Sequence, residues 1–334
     1  MKIIVPMAGR GSRLRPHTLT VPKPLVKVVG KPIVQNLVED LAEMCEEKVE
    51  EIAFIIGDFG KEVEVELLKI AENLGAKGTI CYQDQPLGTA HAILCAGDSL
   101  DGNVIVAFAD TLFKADFSID KSKDGIVWVQ QVEDPSRFGV VKYDDNQVIT
   151  DFIEKPQEFV SDRAIIGIYY FNDGKYLRSE LQKLIDDKVI VNGEYQLTDA
   201  LENMKLAGQK FEIGTVGSWL DCGNKIATVD TNQRYMDFQK GKELVSKSAK
   251  ITNSVLIEPV FIADGAEISN TVLGPHVSVG LNTKIANSVI SNSIIQDNTQ
   301  IERANIADSM VGSLVKYTGR AKDLSIGDFT EITE

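Results

Sequence analysis

The sequence predicts an α/β domain with a mainly parallel sheet, followed by a β-helical solenoid. Up to about residue 240, short runs rich in β-branched residues alternate with longer segments of helical spacing, which is the pattern of βαβ units. After about residue 245, aliphatic residues recur every five or six positions, which is typical of a repeat with short flat faces. The 334 residues suffice for two domains, which we place at 1–240 and 245–334.

The first domain begins with an apolar run that predicts a buried strand. The predicted strands are residues 2–7, 52–56, 79–82 and 104–108, and the predicted helices are 32–47, 61–74 and 87–100. Strand-like runs with turn signals between 126 and 171 predict an antiparallel extension of the sheet. Ligands bind beyond the carboxyl ends of the strands in such sheets. The loop after Met7 and the side chain of Asp110 are therefore expected at one site.

The loop after the first strand is small and basic. Between residues 1 and 38 there are seven Lys or Arg and no Asp or Glu, in a chain of net charge −14. Glycines let backbone N–H groups approach an anion and neighbouring cations neutralise it, so the loop is suited to phosphates. It is not a P-loop, and Leu14 stands where a dinucleotide fingerprint needs its third glycine. Taken alone, a basic surface loop remains the alternative.

Five segments, in order along the chain, resemble the motifs of the sugar-1-phosphate nucleotidyltransferases. They are the loop 8–16 with Pro22-Lys23-Pro24, the turn 83–90, Phe108-Ala109-Asp110, Glu154-Lys155-Pro156 and Trp219-Leu220-Asp221-Cys222-Gly223. The resemblance covers about residues 1–240. It implies a Rossmann-like mixed sheet and an enzyme that joins a nucleoside triphosphate to a sugar 1-phosphate with release of pyrophosphate.

The resemblance also implies roles for residues around the nucleotide. It makes Arg13 and Lys23, with Asp110, the catalytic residues, since two cations would neutralise the triphosphate as charge moves to the pyrophosphate. The nucleotide-binding residues that it implies are Ala8, Gly9, Arg10, Gly11, Gln83, Gly88 and Thr89. Among them, the resemblance implies that Gln83 and Gly88 read the base. Arg10 departs from the family, which has glycine there, and is expected to add a phosphate contact. His91 follows on an apolar helix and is interpreted as structural.

The remaining motifs imply a metal and a sugar site. Asp110 and Asp221 are expected to hold Mg²⁺, which prefers one or two carboxylates with phosphate oxygens and water. The residues implied for the sugar phosphate are Gly139, Glu154, Lys155 and Glu194. Pro156 predicts an extended backbone at Lys155. Helix N-terminal capping is the alternative role for Glu194 and the preferred interpretation for Asp199. Trp219 is expected to pack beneath the turn that carries Asp221.

The C-terminal segment repeats every 16 to 17 residues, which we interpret as one coil of a solenoid. Ile262, Val279, Ile295 and Val311 are separated by 17, 16 and 16 residues. Asparagines that suit left-handed corners stand at 253, 270, 287 and 292. The pattern resembles the left-handed hexapeptide β-helix that follows the catalytic domain in many of these transferases, with about three coils. A β-sandwich with regular strand spacing is the alternative, but the strands of a sandwich rarely repeat at so short an interval. Such short solenoids need a partner surface, so we expect a homo-oligomer.

The leading hypothesis is a transferase for UTP or dTTP and glucose 1-phosphate. One alternative is a noncatalytic homologue that serves assembly, which retention of the catalytic cations and carboxylates disfavours. A guanylyl- or adenylyl-specific member of the family is another. A second, acyltransferase activity in the solenoid is disfavoured because His276 is its single histidine.

Composition limits partners and location. The net charge of −14 disfavours binding to nucleic acid or anionic membranes. The chain has no apolar run of the roughly 18 residues that span a bilayer, and no recognisable signal peptide. The four cysteines are scattered without a Cys-x-x-Cys pair, which favours reduced thiols and a cytoplasmic protein acting on small molecules.

Overall fold

The computed structural model describes residues 1–45, 47–114, 119–323 and 325–331. The chain divides into two compact units. Unit 1 comprises Met1–Val26 and Lys31–Ala227, and unit 2 comprises Lys27–Gly30 and Thr228–Glu334. The division falls inside the last helix of the chain rather than in a linker.

The elements up to that helix alternate as the sequence predicts. The strands are β1 (Lys2–Pro6), β2 (Lys27–Val28), β3 (Lys31–Pro32), β4 (Glu51–Ile56), β5 (Lys77–Tyr82), β6 (Val104–Ala107), β7 (Thr111–Lys114), β8 (Gly125–Gln131), β9 (Gly139–Tyr143), β10 (Ile149–Glu154), β11 (Arg163–Phe171), β12 (Phe211–Thr215) and β13 (Ser218–Asp221). The helices are α1 (Ile33–Met44), α2 (Lys61–Asn73), α3 (Thr89–Leu94), α4 (Gly174–Asp186), α5 (Leu197–Leu206) and α6 (Lys225–Asp237).

The main sheet of unit 1 is mixed, which confirms the predicted fold class. Its strand order is β10-β9-β11-β6-β1-β4-β5, with β8 pairing to both β11 and β12. Strands β6, β1, β4 and β5 are parallel, and β11, β9 and β10 pair antiparallel, as expected for the segment from 126 to 171. The parallel strands are short apolar runs because helices cover them: Ile3, Ile4 and Val5 are fully buried.

One predicted helix is shorter than expected. The apolar pattern over 87–100 becomes α3 followed by a 3₁₀ turn at Gly97–Ser99. Gly97 has φ +55°, which ends the α-helical path. The small pair β7 and β13 lies outside the main sheet and pairs antiparallel, with Thr111 opposite Asp221. This pairing brings two distant motifs together at one end.

Unit 2 contains a parallel β-helix. Its strands are β14 (Lys250–Thr252), β15 (Val255–Leu256), β16 (Val260–Ile262), β17 (Glu267–Ser269), β18 (Val272–Leu273), β19 (Val277–Val279), β20 (Lys284–Ala286), β21 (Val289–Ile290), β22 (Ser293–Ile295), β23 (Gln300–Glu302), β24 (Asn305–Ile306), β25 (Met310–Val311) and β26 (Lys316–Thr318). They form three parallel ladders, β14-β17-β20-β23-β26, β15-β18-β21-β24 and β16-β19-β22-β25.

The repeat seen in the sequence is the register of one ladder. Ile262 pairs with Val279, Val279 with Ile295, and Ile295 with Val311. The corner asparagines have positive φ, from +38° to +52° at positions 253, 270, 287 and 292, and neighbouring coils link them by hydrogen bonds such as Asn253 to Asn270 at 2.7 Å.

The expected number of coils was too low. The described strands make four complete coils and one further strand, not about three. The series that begins at Ile262 omits the first two strands of the first coil, which carry Ile251 and Leu256, and the last strand, which carries Tyr317. His276 lies at a corner with φ +60°, and its Nε2 is 3.1 Å from Asp237 Oδ1.

Candidate active site

A cavity of about 400 Å³ lies beyond the carboxyl ends of β1, β5 and β6 in unit 1. Its lining includes the following residues that the sequence predicts: Ala8, Gly9, Gly11, Arg13, Lys23, Gln83, Gly88, Thr89, Asp110 and Glu194. Ser12, Pro24, Phe108 and Gly223 are further lining residues. The five motifs are spread over more than 200 residues, and four of them contribute to this one space.

The basic loop is folded tightly around Gly11. This residue has φ +59°, and a Cβ there would lie 2.7 Å from the Cβ of Lys23. The carbonyl of Gly11 accepts hydrogen bonds from the Leu14 N–H at 3.0 Å and from the Thr18 hydroxyl at 2.8 Å. A Cβ on Gly9 would meet no atom within 4 Å. The loop therefore fixes Lys23 from one side and leaves open space beside the backbone at Gly9, which suits an approaching anion.

Lys23 and Asp110 form the ion pair at the floor of the cavity. The Lys23 Nζ lies 3.1 Å from Asp110 Oδ2, and the lysine side chain is 9% exposed while the aspartate is 45% exposed. The main chain of Asp110 is held as well, because its carbonyl accepts the Cys222 N–H at 3.0 Å. An almost buried cation thus faces a carboxylate that solvent and ligands can reach.

Asp221 is the second predicted metal carboxylate; it ends β13 and interacts electrostatically with Asp110, but Gly223 rather than Asp221 lines the cavity. Burial is the main cause that raises its pKa, and the negative charge of Asp110 raises it further. The Gly223 N–H, which donates to Asp221 Oδ1 at 2.7 Å, and the charges of Lys23 and Arg13 act in the opposite direction. Two carboxylates repel each other here, so a cation between them would be favoured.

The donor set at this place fits magnesium. Among the residues that the structure describes, no group of three or more His, Cys, Asp or Glu is arranged to hold a metal. Two carboxylates at the end of the paired strands β7 and β13 leave most coordination positions to phosphate oxygens and water. That division is the one Mg²⁺ uses at phosphate-transfer sites.

Another wall of the cavity is the turn at residues 83–90, which packs against the segment around Tyr195. The N–H of Tyr195 donates to Leu87 O at 2.8 Å, and the Ala90 N–H donates to Tyr195 O at 3.0 Å. Gly88, at φ +115°, allows this approach, because a Cβ there would lie 2.5 Å from Tyr195 O. The contact also brings Glu194 to the cavity, where its Oε2 accepts from the Gln196 Nε2 at 3.3 Å.

Gln83 lies directly after β5, and its side chain contacts the turn at residues 83–90 that it begins. Its Nε2 lies 3.2 Å from Gly88 O and 3.1 Å from His91 Nδ1. Burial lowers the pKa of His91. The interpretation of His91 as a structural residue missed that this residue contacts Gln83, the predicted base-reading glutamine. The sequence signal for this contact was the position of His91, eight residues after Gln83 and in the first turn of α3.

The predicted sugar residues gather on the antiparallel lobe. Gly139 lies opposite Glu154 in the β9–β10 pair, and a Cβ on Gly139 would be 3.1 Å from Glu154 Oε2. That oxygen accepts from the Thr198 hydroxyl at 3.3 Å. Burial, with the charge of Glu154, raises the pKa of Asp199, whose Oδ2 is buried without a hydrogen-bond partner among the described residues.

Two predictions on this lobe were wrong. Lys155 is not extended: its φ is +42°, because its N–H turns back to donate to Phe138 O at 3.1 Å. Its Nζ lies 3.5 Å from Glu154 Oε1. Asp199 does not cap α5, since the N-cap is Gln196 and Asp199 lies in the first turn of the helix. Sequence reasoning missed Thr198 and Asp199 as neighbours of Glu154.

Other predicted residues lie apart from the cavity or beside it. Arg10 is exposed and does not line it. Trp219 packs edge-on against Phe138, with ring centroids 5.2 Å apart. Within the described part of the chain, no helix is long and apolar enough to cross a bilayer.

Comparison with known proteins identifies the family of the chain. The family model described as nucleotidyl transferase matches residues 2–237, and the model described as GlmU-like C-terminal hexapeptide matches 239–316. The chain is 30% identical to a glucose-1-phosphate thymidylyltransferase of Streptomyces antibioticus, over 95% of this chain and 94% of that one. It is 32% identical to the low-salt glycan biosynthesis nucleotidyltransferase of Haloferax volcanii, over 93% of this chain and 92% of the relative.

A solved structure is similar to the first part of the chain. The crystal structure of UDP-glucose pyrophosphorylase with UDP-glucose has a TM-score of 0.58 and 26% identity, covering 71% of this chain and 98% of that one. The hexapeptide match agrees with the three parallel ladders of unit 2, which are consistent with the predicted left-handed β-helix. On the extent of these matches, the chain belongs to the nucleotidyl transferase family and carries a GlmU-like hexapeptide segment after it.

Proposed function

We propose that the protein transfers a nucleotidyl group from UTP or dTTP to a sugar 1-phosphate, glucose 1-phosphate by default, and releases pyrophosphate. The observation that carries this proposal is the cavity that combines the cationic loop with Asp110 and the turn at Gln83 and Gly88. It offers cations at one end and a polar amide at the other, at a place where family membership predicts a nucleotide.

In the proposed reaction, an oxygen of the sugar phosphate attacks the α-phosphorus of the triphosphate. The new P–O bond forms as the bond from the α-phosphorus to the bridging oxygen of the β-phosphate breaks, and pyrophosphate leaves with its electrons. Both reactants are anions, so charge neutralisation and alignment matter more than a general base. Arg13 and Lys23 carry out the neutralisation, and the open backbone at Gly9 takes phosphate oxygens.

Magnesium is the cofactor in this proposal. When bound, Mg²⁺ would neutralise phosphate oxygens and align the reacting groups. Asp110 and Asp221 would hold it. The Lys23 Nζ lies 3.1 Å from Asp110 Oδ2, which holds that carboxylate in place.

The sugar phosphate is assigned to the antiparallel lobe. Lys155, half-exposed beside Glu154, would bind its phosphate, and the Glu154 carboxylate would accept hydrogen bonds from sugar hydroxyls. Gly139 lets the backbone lie close to Glu154, since a Cβ there would be 3.1 Å from Glu154 Oε2 and 3.3 Å from side-chain atoms of Ile165 and Thr198. Glu194, which lines the cavity, would be a further acidic contact to the sugar.

A matrix of UTP, dTTP, GTP, ATP and CTP against several sugar 1-phosphates, scored by pyrophosphate release, tests the proposal. We expect turnover with UTP or dTTP and glucose 1-phosphate that disappears in excess chelator. Turnover that persists in chelator would reject the magnesium assignment. No turnover with any pair would favour the noncatalytic alternative, and turnover with GTP or ATP would favour the other base specificities of the family.

We further propose a cytoplasmic homo-oligomer. Val255 and Val289 lie on one ladder of unit 2 and are 57% and 50% exposed, which is an apolar surface of the kind subunits cover. All four cysteines are free, as expected in a reducing compartment. Light scattering of the full chain should give a mass that is a multiple of 36.7 kDa; a monomer would reject the assembly role.

A further inference from the structure

His91 sits where it controls the orientation of the Gln83 side chain. Gln83 is fixed at the backbone, because its N–H donates to Ile56 O at 2.9 Å at the end of β4 and β5. Its side chain lines the cavity. Both described hydrogen bonds of this side chain use the amide nitrogen, one to Gly88 O and one to His91 Nδ1.

The orientation of the amide follows from the chemistry of its partners. A backbone carbonyl such as that of Gly88 can only accept a hydrogen bond, so the atom of Gln83 that faces it must be the nitrogen. The carbonyl itself is held, because it also accepts the Ala92 N–H at 3.0 Å. Gly88 cannot move easily, since its turn packs against Tyr195.

The second hydrogen of the same nitrogen points to His91. Burial lowers the pKa of this histidine, so the ring is neutral near pH 7 and can present Nδ1 as an acceptor with its proton on Nε2. A protonated ring, or the tautomer with its proton on Nδ1, would present an N–H to the amide nitrogen and repel it. With both amide hydrogens used, Oε1 is the polar atom of Gln83 that no described residue engages, and it can only accept.

We propose that His91 is a positioning residue for base selection, which holds Gln83 so that its side-chain oxygen faces the base and accepts an imide N–H. Uracil and thymine carry such a donor at N3, and guanine at N1. Cytosine at N3 and adenine at N1 carry a lone pair, which would meet the lone pairs of Oε1. This inference rests on the proposed function and adds a reason why UTP or dTTP would be preferred to CTP and ATP.

The cleanest test compares UTP with CTP, because the two differ only at the edge that Gln83 would contact. The variants are His91→Phe, which keeps a ring but has no acceptor, and His91→Asn, whose Oδ1 can take the place of Nδ1. One lost hydrogen bond of this kind is worth about a threefold to tenfold change in binding. The ratio of kcat/KM for UTP over CTP should fall by about that factor in His91→Phe, through KM, with kcat for UTP within about twofold.

Recovery of the ratio in His91→Asn distinguishes positioning from general packing. His91→Leu is the second variant without an acceptor, for use where His91→Phe does not fold. An unchanged ratio in His91→Phe or His91→Leu, an equal loss in His91→Asn, or a wild-type protein that uses CTP as well as UTP would overturn the proposal. A wild-type protein with no turnover at all would instead reject the proposed function.

Discussion

Replacing Gly88 with alanine should open the cavity wall and weaken nucleotide binding. Gly88 has φ +115°, and a Cβ at this residue would lie 2.5 Å from Tyr195 O and 2.7 Å from Tyr195 N. Those two atoms make the hydrogen bonds to Ala90 and Leu87 that join the turn to the segment before α5. Because both contacts are to backbone, no side-chain rotation can relieve the clash.

The expected loss of stability can be worked out from these contacts. A non-glycine residue in such a backbone region costs about 1–3 kcal/mol, and overpacking of this kind costs about 1–3 kcal/mol. If the segment at Tyr195 moves away instead, the clash is relieved, but the two hydrogen bonds of Tyr195 are lost at about 1 kcal/mol each. The total free energy of unfolding should fall by about 3–5 kcal/mol.

A matched variant isolates the close approach from the backbone strain. Gly60 has φ +85°, and a Cβ there would meet no atom within 4 Å, so Gly60→Ala should cost only the strain of about 1–3 kcal/mol. Denaturant unfolding of both variants gives the difference, and the KM for the nucleotide gives the effect on the cavity. Equal unfolding free energies for Gly88→Ala and Gly60→Ala, with an unchanged KM, would refute the reasoning.

Four further substitutions test other parts of the structure. Asp221→Asn should lower kcat by at least about 100-fold with the far-ultraviolet circular dichroism unchanged, since charge stabilisation of a transferring group is worth this much; activity within tenfold of wild type would contradict the metal assignment. Lys155→Ala should raise the KM for the sugar 1-phosphate about tenfold or more through loss of one charged hydrogen bond, and an effect confined to the nucleotide's KM would place the residue elsewhere. Ile285→Ala, at a position 1% exposed, should destabilise unit 2 by about 2–4 kcal/mol, whereas Leu314→Ala, 78% exposed in the same unit, should cost less than about 0.5 kcal/mol; equal effects would mean that the inward and outward positions are misassigned.

Much of the fold could be predicted because its signals are local or periodic. Strands such as β1 and β4 are apolar runs of the right length, and the 16- to 17-residue spacing of Ile262, Val279 and Ile295 is the register of one ladder. The glycine loop and the Asp110 motif lie at adjoining strand ends because β1 and β6 pair in parallel. Those two facts follow from residue type and from the rule on strand ends.

The features that sequence reasoning missed depend on contacts between distant segments. Lys155 adopts a positive φ despite the proline after it, because its N–H bonds to Phe138 across the hairpin. Asp199 is inside α5 rather than at its cap, because the preceding residues pair with the turn at Leu87 and so decide where the helix begins. The contact of His91 with Gln83 likewise exists only once β5, the turn and α3 are assembled.

The most direct test of the central claim is pyrophosphate release by the full chain with magnesium, UTP or dTTP, and glucose 1-phosphate. The account predicts stoichiometric pyrophosphate and NDP-glucose, dependent on both substrates and on the metal, and lost in Asp110→Asn. Pyrophosphate formed without the sugar phosphate, or an Asp110→Asn variant as active as the wild type, would contradict it.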